Sequence, residues 1–227
     1  MNLLAIETAT EACSVALLAG DRLVERSEIA PRRHAELLLP MCEDVLAEAG
    51  IDRRALDAIA VGRGPGAFTG VRLAISAAQG MALALGIPVV PVSSLAALAM
   101  QAPDNGADVL AVIDARMGEV YAGLFRRVDG RAELVGEETV GRADALTLPD
   151  ASALNIIGTG WSSYRDALTA ILPYPPRWAE GDRYPQAADI ARLAATIAAA
   201  GEGVAADKVL PVYLRDKVAL TLAEQRR

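Results

Sequence analysis

The chain has one histidine and two cysteines in 227 residues, and that scarcity limits its chemistry before anything else does. A protein metal site draws on several His, Cys, Asp or Glu ligands. His34, Cys13 and Cys42 stand apart, with no second imidazole and no C-x-x-C pair. No metal, no cofactor and no disulfide framework are expected. Base catalysis by a pair of histidines is excluded, and no Gly-x-Ser-x-Gly elbow offers a serine nucleophile. Aromatic residues make up only 4%, so the core should be aliphatic, with closely packed helices. Positive charge is short as well: 22 basic against 29 acidic residues leave a net −7. A protein that holds nucleic acid by itself carries a basic patch that displaces phosphate counterions. Here the arginines come in scattered pairs, Arg53-Arg54 and Arg126-Arg127 among them. The longest apolar region, 71–92, is broken by Arg72, Gln79, Gly80 and Pro88 and reads as too polar for a membrane span. No basic segment precedes the strand-like Leu3-Leu4-Ala5-Ile6, so no secretory signal is expected and the chain reads as cytoplasmic.

Apolar residues are plentiful, at 53% against 22% charged, which predicts a substantial core rather than disorder. Residues 2–7, 12–19 and 22–29 read as three antiparallel strands joined by short polar turns. Helical spacing of Leu37, Leu38, Met41, Val45 and Leu46 predicts a helix over 34–49, stopped by Gly50. A strand at 57–61, a helix at 69–85, a strand at 87–90 and a short helix capped by Ser93 follow. Pro103-Asp104-Asn105-Gly106 is the best linker, and beyond it the pattern restarts. Strands are expected at 109–113, 119–127 and 131–140, then a short helix, a strand at 154–157 and a helix at 162–172. Residues 174–184 read as loop, and 187–200 as a last helix. The order βββαβα thus occurs twice. That pattern is the α/β architecture of two ribonuclease H-like halves in an actin-like (ASKHA) arrangement, the second half reduced. The expected division is 1–102, with 187–227 packing back on it, and a smaller unit over 103–186.

The most distinctive stretch is Gly62-Arg63-Gly64-Pro65-Gly66-Ala67-Phe68-Thr69-Gly70, between a strand and a helix, where anions are often held. A Walker A loop needs a lysine before Ser/Thr, and none is near. A dinucleotide loop needs an acid about twenty residues on, and there is none between Asp57 and Asp104. The alternative is a tight turn whose glycines let the next helix approach its neighbours. Kinases of actin-like architecture place an acid and a glycine at the first hairpin of each half. Glu7 and Asp114 stand at the matching places, without the glycine that brings backbone N–H groups close to phosphate. They are candidates for a vestigial nucleotide site, or simply turn caps. The helix at 34–49 has a wide apolar arc and that at 69–85 is lined with alanine and glycine. Together they hold more apolar surface than one sheet face needs, which points to a protein interface.

Three blocks carry a resemblance. They are Leu4-Ala5-Ile6-Glu7-Thr8-Ala9-Thr10 with Ser14-Val15-Ala16-Leu17, then Gly64-Pro65-Gly66-Ala67-Phe68-Thr69-Gly70-Val71-Arg72, and Asp114-Ala115-Arg116 with Glu119-Val120-Tyr121. Over most of residues 1–125 the chain resembles the TsaB (YeaZ) family, although Glu7 stands where many members have Asp. The resemblance implies a non-catalytic platform subunit, paralogous to the catalytic TsaD. With TsaD and the ATPase TsaE it would serve the transfer of threonylcarbamoyl from threonylcarbamoyl-AMP to N6 of the tRNA adenosine 3′ of the anticodon. It further implies a partner face on the two N-terminal helices, with His34, Leu38, Met41, Val45, Arg72 and Ser76 as contact residues. The same face would form a homodimer when the subunit is alone, and tRNA would be met indirectly. The competing expectation is an active kinase or peptidase of the actin-like fold.

Overall fold

The computed structural model describes residues 1–148 and 153–215. Strands β1 (Asn2–Glu7), β2 (Ala12–Ala19) and β3 (Arg22–Ile29) form an antiparallel meander, with Ile6 opposite Val15 and Ala12 opposite Ile29. β4 (Ala58–Gly62) and β5 (Val89–Val92) then add in parallel beyond β1, giving the order β3-β2-β1-β4-β5. A parallel neighbour needs a crossover. Helix α1 (His34–Ala49) supplies it before β4, and α2 (Phe68–Leu85) before β5. Helix α3 (Ser94–Ala99) leads out of the half, its first turn capped by the Ser93 hydroxyl.

The second half repeats the scheme. β6 (Val109–Arg116), β7 (Glu119–Val128) and β8 (Arg131–Arg142) are antiparallel, and β9 (Asn155–Ile157) and β10 (Trp178–Glu180) add in parallel. The order β10-β9-β6-β7-β8 is the first sheet's order read from the opposite edge. These are two ribonuclease H-like halves in the actin-like arrangement. The second is reduced, since β9 and β10 have 3 residues each.

Alternation along each strand sends side chains to opposite faces. Leu3 and Ala5 join one apolar cluster and Leu4 and Ile6 another. The first cluster holds α3 and α6 (Ala187–Ala199) and continues into Val109, Ala111, Ile113 and Phe125 of the second sheet. The second cluster is closed by α1 and α2. The outer face of the second sheet is covered by Trp161 of α4 (Thr159–Ser163) and Leu168 of α5 (Arg165–Ile171). The layers are therefore α1/α2, sheet, α3/α6, sheet, α4/α5. By length and composition α2 could cross a membrane, but here one face packs Ala74, Ile75, Ala78 and Ala82 on the first sheet.

Three expectations differ from the structure. Residues 174–184 are not all loop, because β10 pairs with β9, Trp178 opposite Asn155. A 3-residue strand held by its neighbour has no period of its own to read. The helix expected at 162–172 is two helices broken at Tyr164 (φ −133°, ψ 36°), whose hydroxyl donates to Asp114. The short helix expected after β8 is not seen over 143–148, and the rest of that segment lies outside the described residues.

Helix α6 is capped by the other end of the chain. Its Ala187 N–H donates to Ser14 Oγ (2.9 Å) and its Ala188 N–H to Glu25 Oε1 (2.8 Å). These carry two of the N–H groups that a helix start leaves without partners. Ser14→Ala should lower stability by about 1–2 kcal/mol, read as a lower urea midpoint at unchanged m-value. An unchanged midpoint would show that the cap contributes nothing.

Candidate functional site

The glycine-rich loop folds back on the β1–β2 hairpin. Ala67 N–H donates to the Ala9 carbonyl (2.7 Å), and the Thr8 hydroxyl donates to the Gly70 carbonyl (2.7 Å). A Cβ at Gly66 would collide with the Ala9 carbonyl oxygen, and one at Gly70 with that of Thr8. Close backbone approach is thus what these glycines provide. Gly64 (φ 88°) precedes a cis Pro65 and accepts from Ser94 N–H (3.0 Å). Phe68 and Thr69 open α2 with exposed side chains.

Glu7 is fully buried. One carboxylate oxygen accepts from Ala9 N–H (2.6 Å) and the other from the Ser94 hydroxyl (2.6 Å), while Gly62 lies directly against it. Burial pushes its pKa up, with the bonds from Ser94 and Ala9 opposing. Asp114 accepts from Tyr164 Oη (2.9 Å), from Arg116 N–H (2.7 Å) and from the Arg116 guanidinium (2.9 Å). The two acids stand at equivalent hairpins, yet the structure does not bring them to one cavity. Asp114 lines the cleft between the halves, whereas Glu7 turns back into its own hairpin and does not. Burial also pushes the Cys42 thiol up to about 12 and the Cys13 thiol to about 11, so neither is a nucleophile at neutral pH. Among the described residues no three His, Cys, Asp or Glu side chains converge.

The cleft has a volume of about 570 Å³. Its walls are the Ala9–Glu11 turn, the starts of α1 and α2, the β6–β7 hairpin and the segment 212–215. That last segment ties the halves together. Val212 N–H donates to the Arg63 carbonyl (3.0 Å), and Arg215 donates to the Ala115 carbonyl (3.0 Å) and pairs with Glu119. Nothing periodic in residues 209–215 announces this role.

Of the six residues expected on a partner face, three belong to the core. Leu38, Met41 and Val45 are 1%, 8% and 0% exposed and pack in one cluster with Leu4, Ile6 and Val15. They are the part of the α1 arc that meets the sheet. His34 is half-buried and lines the cleft, and the Arg72 guanidinium lies over the ring of Phe68 (3.2 Å) with the ring of Tyr213 beside it (4.8 Å). Ser76 alone is exposed on the outer side of α2. What that outer side does present, and sequence reasoning missed, is Leu83 at 79% exposure and Leu39 of α1 at 56%. Leu39 lines a groove of about 520 Å³ between the helices with Cys42, Leu46, Met81, Ala84 and Leu85, where Glu43, Arg53 and Arg54 also stand, whereas Leu83 faces away from it on α2. The signal was in the arc itself: Leu39 and Leu46 lie roughly 100° around α1 from Leu38 and Val45, at the edge of the apolar arc.

Two outcomes check this geometry. Gly70→Ala should destabilise the fold by about 1–3 kcal/mol, because backbone rather than a flexible side chain blocks the new methyl. A melting temperature equal to that of the parent would refute the close approach. For Glu7 the folded pKa lies above the ordinary 4.5, so the native state holds its proton longer than the unfolded chain. Its contribution is complete below pH 4.5 and declines as pH rises from there towards the folded value. Glu7→Gln should therefore flatten the fall in stability over that window in a urea titration series. Parallel pH curves for parent and variant would contradict it.

A family model described as TsaD, tRNA N6-adenosine threonylcarbamoyltransferase, matches residues 26–219. The tRNA threonylcarbamoyladenosine biosynthesis protein TsaB of Escherichia coli (strain K12) is 41% identical over 230 residues, covering 96% of each chain. The protein of the same name from Bacillus subtilis (strain 168) is 33% identical over 150 residues, 65% of this chain and 66% of its own. The solved structure of YeaZ from Pseudomonas aeruginosa superposes with a TM-score of 0.87 at 47% identity, covering 94% of this chain and 99% of that one. With that identity over nearly the whole length, and the same fold, the chain belongs to the TsaB (YeaZ) family.

Proposed function

We propose that this chain is a non-catalytic platform subunit in tRNA threonylcarbamoyladenosine biosynthesis. It docks a TsaD-type partner, which carries out the transfer of threonylcarbamoyl from threonylcarbamoyl-AMP to N6 of the adenosine 3′ of the anticodon. TsaE joins through that complex, tRNA is met through the partner, and the work is done in the cytoplasm. The relatives' names support the pathway. The observation that supports the platform role is apolar surface left open on α1 and α2, Leu39 beside the groove between the helices and Leu83 on a further side of α2. Ser76, Gly80 and Ala84 recur every four residues on α2, so a partner helix can come close there. Without its partner, the same side pairs with a second copy.

The buried Glu7 and the bonded Asp114 support a subunit without chemistry of its own, since both carboxylates already serve their own hairpins. The test is co-purification with the TsaD of the same organism, together with a threonylcarbamoylation assay in the presence and absence of this chain. Leu83→Asp changes an exposed residue and should leave the fold intact, yet weaken the complex by about 100-fold through an unpaired charge at the contact. Modification of tRNA should fall with it. A Leu83→Asp variant that assembles and supports modification normally would remove α2 from the interface. Modification by TsaD alone would remove the platform role.

A further inference from the structure

The groove between α1 and α2 has an apolar floor and a charged mouth. Its floor includes Leu4 of β1, Cys42 and Leu56, all buried, so the groove reaches down to the first sheet. Glu43, Arg53 and Arg54 also line it, and all three are exposed. Among the described residues none of the three enters an ion pair. Water satisfies these charges while the groove is open. A partner that covers the groove must supply counter-charges or leave unpaired charge in the contact, which is costly.

A second copy of the chain carries those counter-charges. Glu36, Leu39 and Glu43 follow one another at i, i+3 and i+7 on α1, so they share one side of the helix, and all three are exposed. That side is an apolar knob between two carboxylates. The groove is its complement, an apolar floor beside two guanidinium groups. Glu36 is held only by its neighbour Arg33, at 3.5 Å in an exposed pair. The other two acids of α1 lie towards β3, where Glu48 pairs with Arg26 and Asp44 stands near it. Helix α1 has no lysine or arginine that would repel Arg53 and Arg54 across a contact. Both parts of the match belong to one chain, so two copies related by a two-fold axis make it twice.

We infer that charge specifies the self-pairing of this chain: Glu36 and Glu43 of each copy meet Arg53 and Arg54 of the other, and Leu39 of each enters the facing groove. The inference rests on the reading that this side pairs with a second copy, and it names the residues that select that partner. The apolar floor accepts any leucine-bearing helix. The charges at its mouth discriminate, because a helix without carboxylates leaves Arg53 and Arg54 unpaired.

The test uses the full chain in three forms: the parent, a double variant Arg53→Glu with Arg54→Glu, and a double variant Glu36→Lys with Glu43→Lys. All four positions are exposed, so thermal unfolding should stay close to that of the parent. Sedimentation velocity gives the dimer dissociation constant of each form alone and of the two variants mixed. Either variant alone sets like charges against each other at both contacts and should pair about tenfold or more weakly than the parent. In the mixture the introduced lysines of one copy face the introduced glutamates of the other, and the remaining native charges face each other as before. The mixed dimer should therefore form within about threefold of the parent's affinity. Added salt should weaken the parent dimer and strengthen each variant's own, the opposite signs expected of attraction and repulsion. A mixture that pairs no better than its components, or variants that pair like the parent, would overturn the charge assignment while leaving self-pairing in place. A parent that stays monomeric at every concentration would remove self-pairing and this inference with it, and would leave the TsaD contact to its own test.

Discussion

A β-strand with apolar residues on both faces needs cover on both faces, and the two sheets here meet that need by sharing one layer of helices. α3 is buried along its whole length between them, and α6 lies beside it with Ala187, Ile190, Ala191 and Ala194 turned inward. Alanine is what makes the sharing work, because small side chains let two sheets close on one helix layer. The helix start that this buries is satisfied by Ser14 and Glu25 from the first sheet, so residues far apart in sequence complete each other's hydrogen bonds. Were α6 absent, Leu3, Ala5 and Ala60 would face an unfilled gap.

The same arrangement separates two surfaces. It brings the β1–β2 and β6–β7 hairpins to one end, where the cleft opens between them under the segment 212–215. It also pushes α1 and α2 to the outside, where each can cover the first sheet with only one face. The outer face keeps Leu39 and Leu83 exposed. The acids that actin-like kinases would use do not cooperate across the cleft, since Glu7 is held by Ser94 and its own hairpin while Asp114 is held by Tyr164 and Arg116.

Much of the fold was legible because most elements are long enough to show a period. The three-strand meanders, the helices at 34–49 and 69–85, and the last helix all follow from alternation, helical spacing and stops such as Gly50 and Gly86. The site was legible only in part. The glycine-rich loop could be located, and its reading as a close-packing turn agrees with the collisions a Cβ would meet at Gly66 and Gly70. Which side of the α1 arc meets the sheet could not be read, since Leu38 and Leu39 are adjacent and equally apolar. Only docking on the sheet buries one to 1% and leaves the other 56% exposed.

The sequence by itself determined the repeated βββαβα order, the aliphatic core and the poverty of metal-ligating residues, because these depend on composition and on neighbours a few positions apart. Tertiary structure alone decided that β10 is a strand, that Ser14 caps a helix 173 positions away, and that the segment 212–215 fastens the two halves. Each of these is a pairing between distant parts of the chain. Local pattern carries no information about such pairings until the sheets have closed on the helices between them.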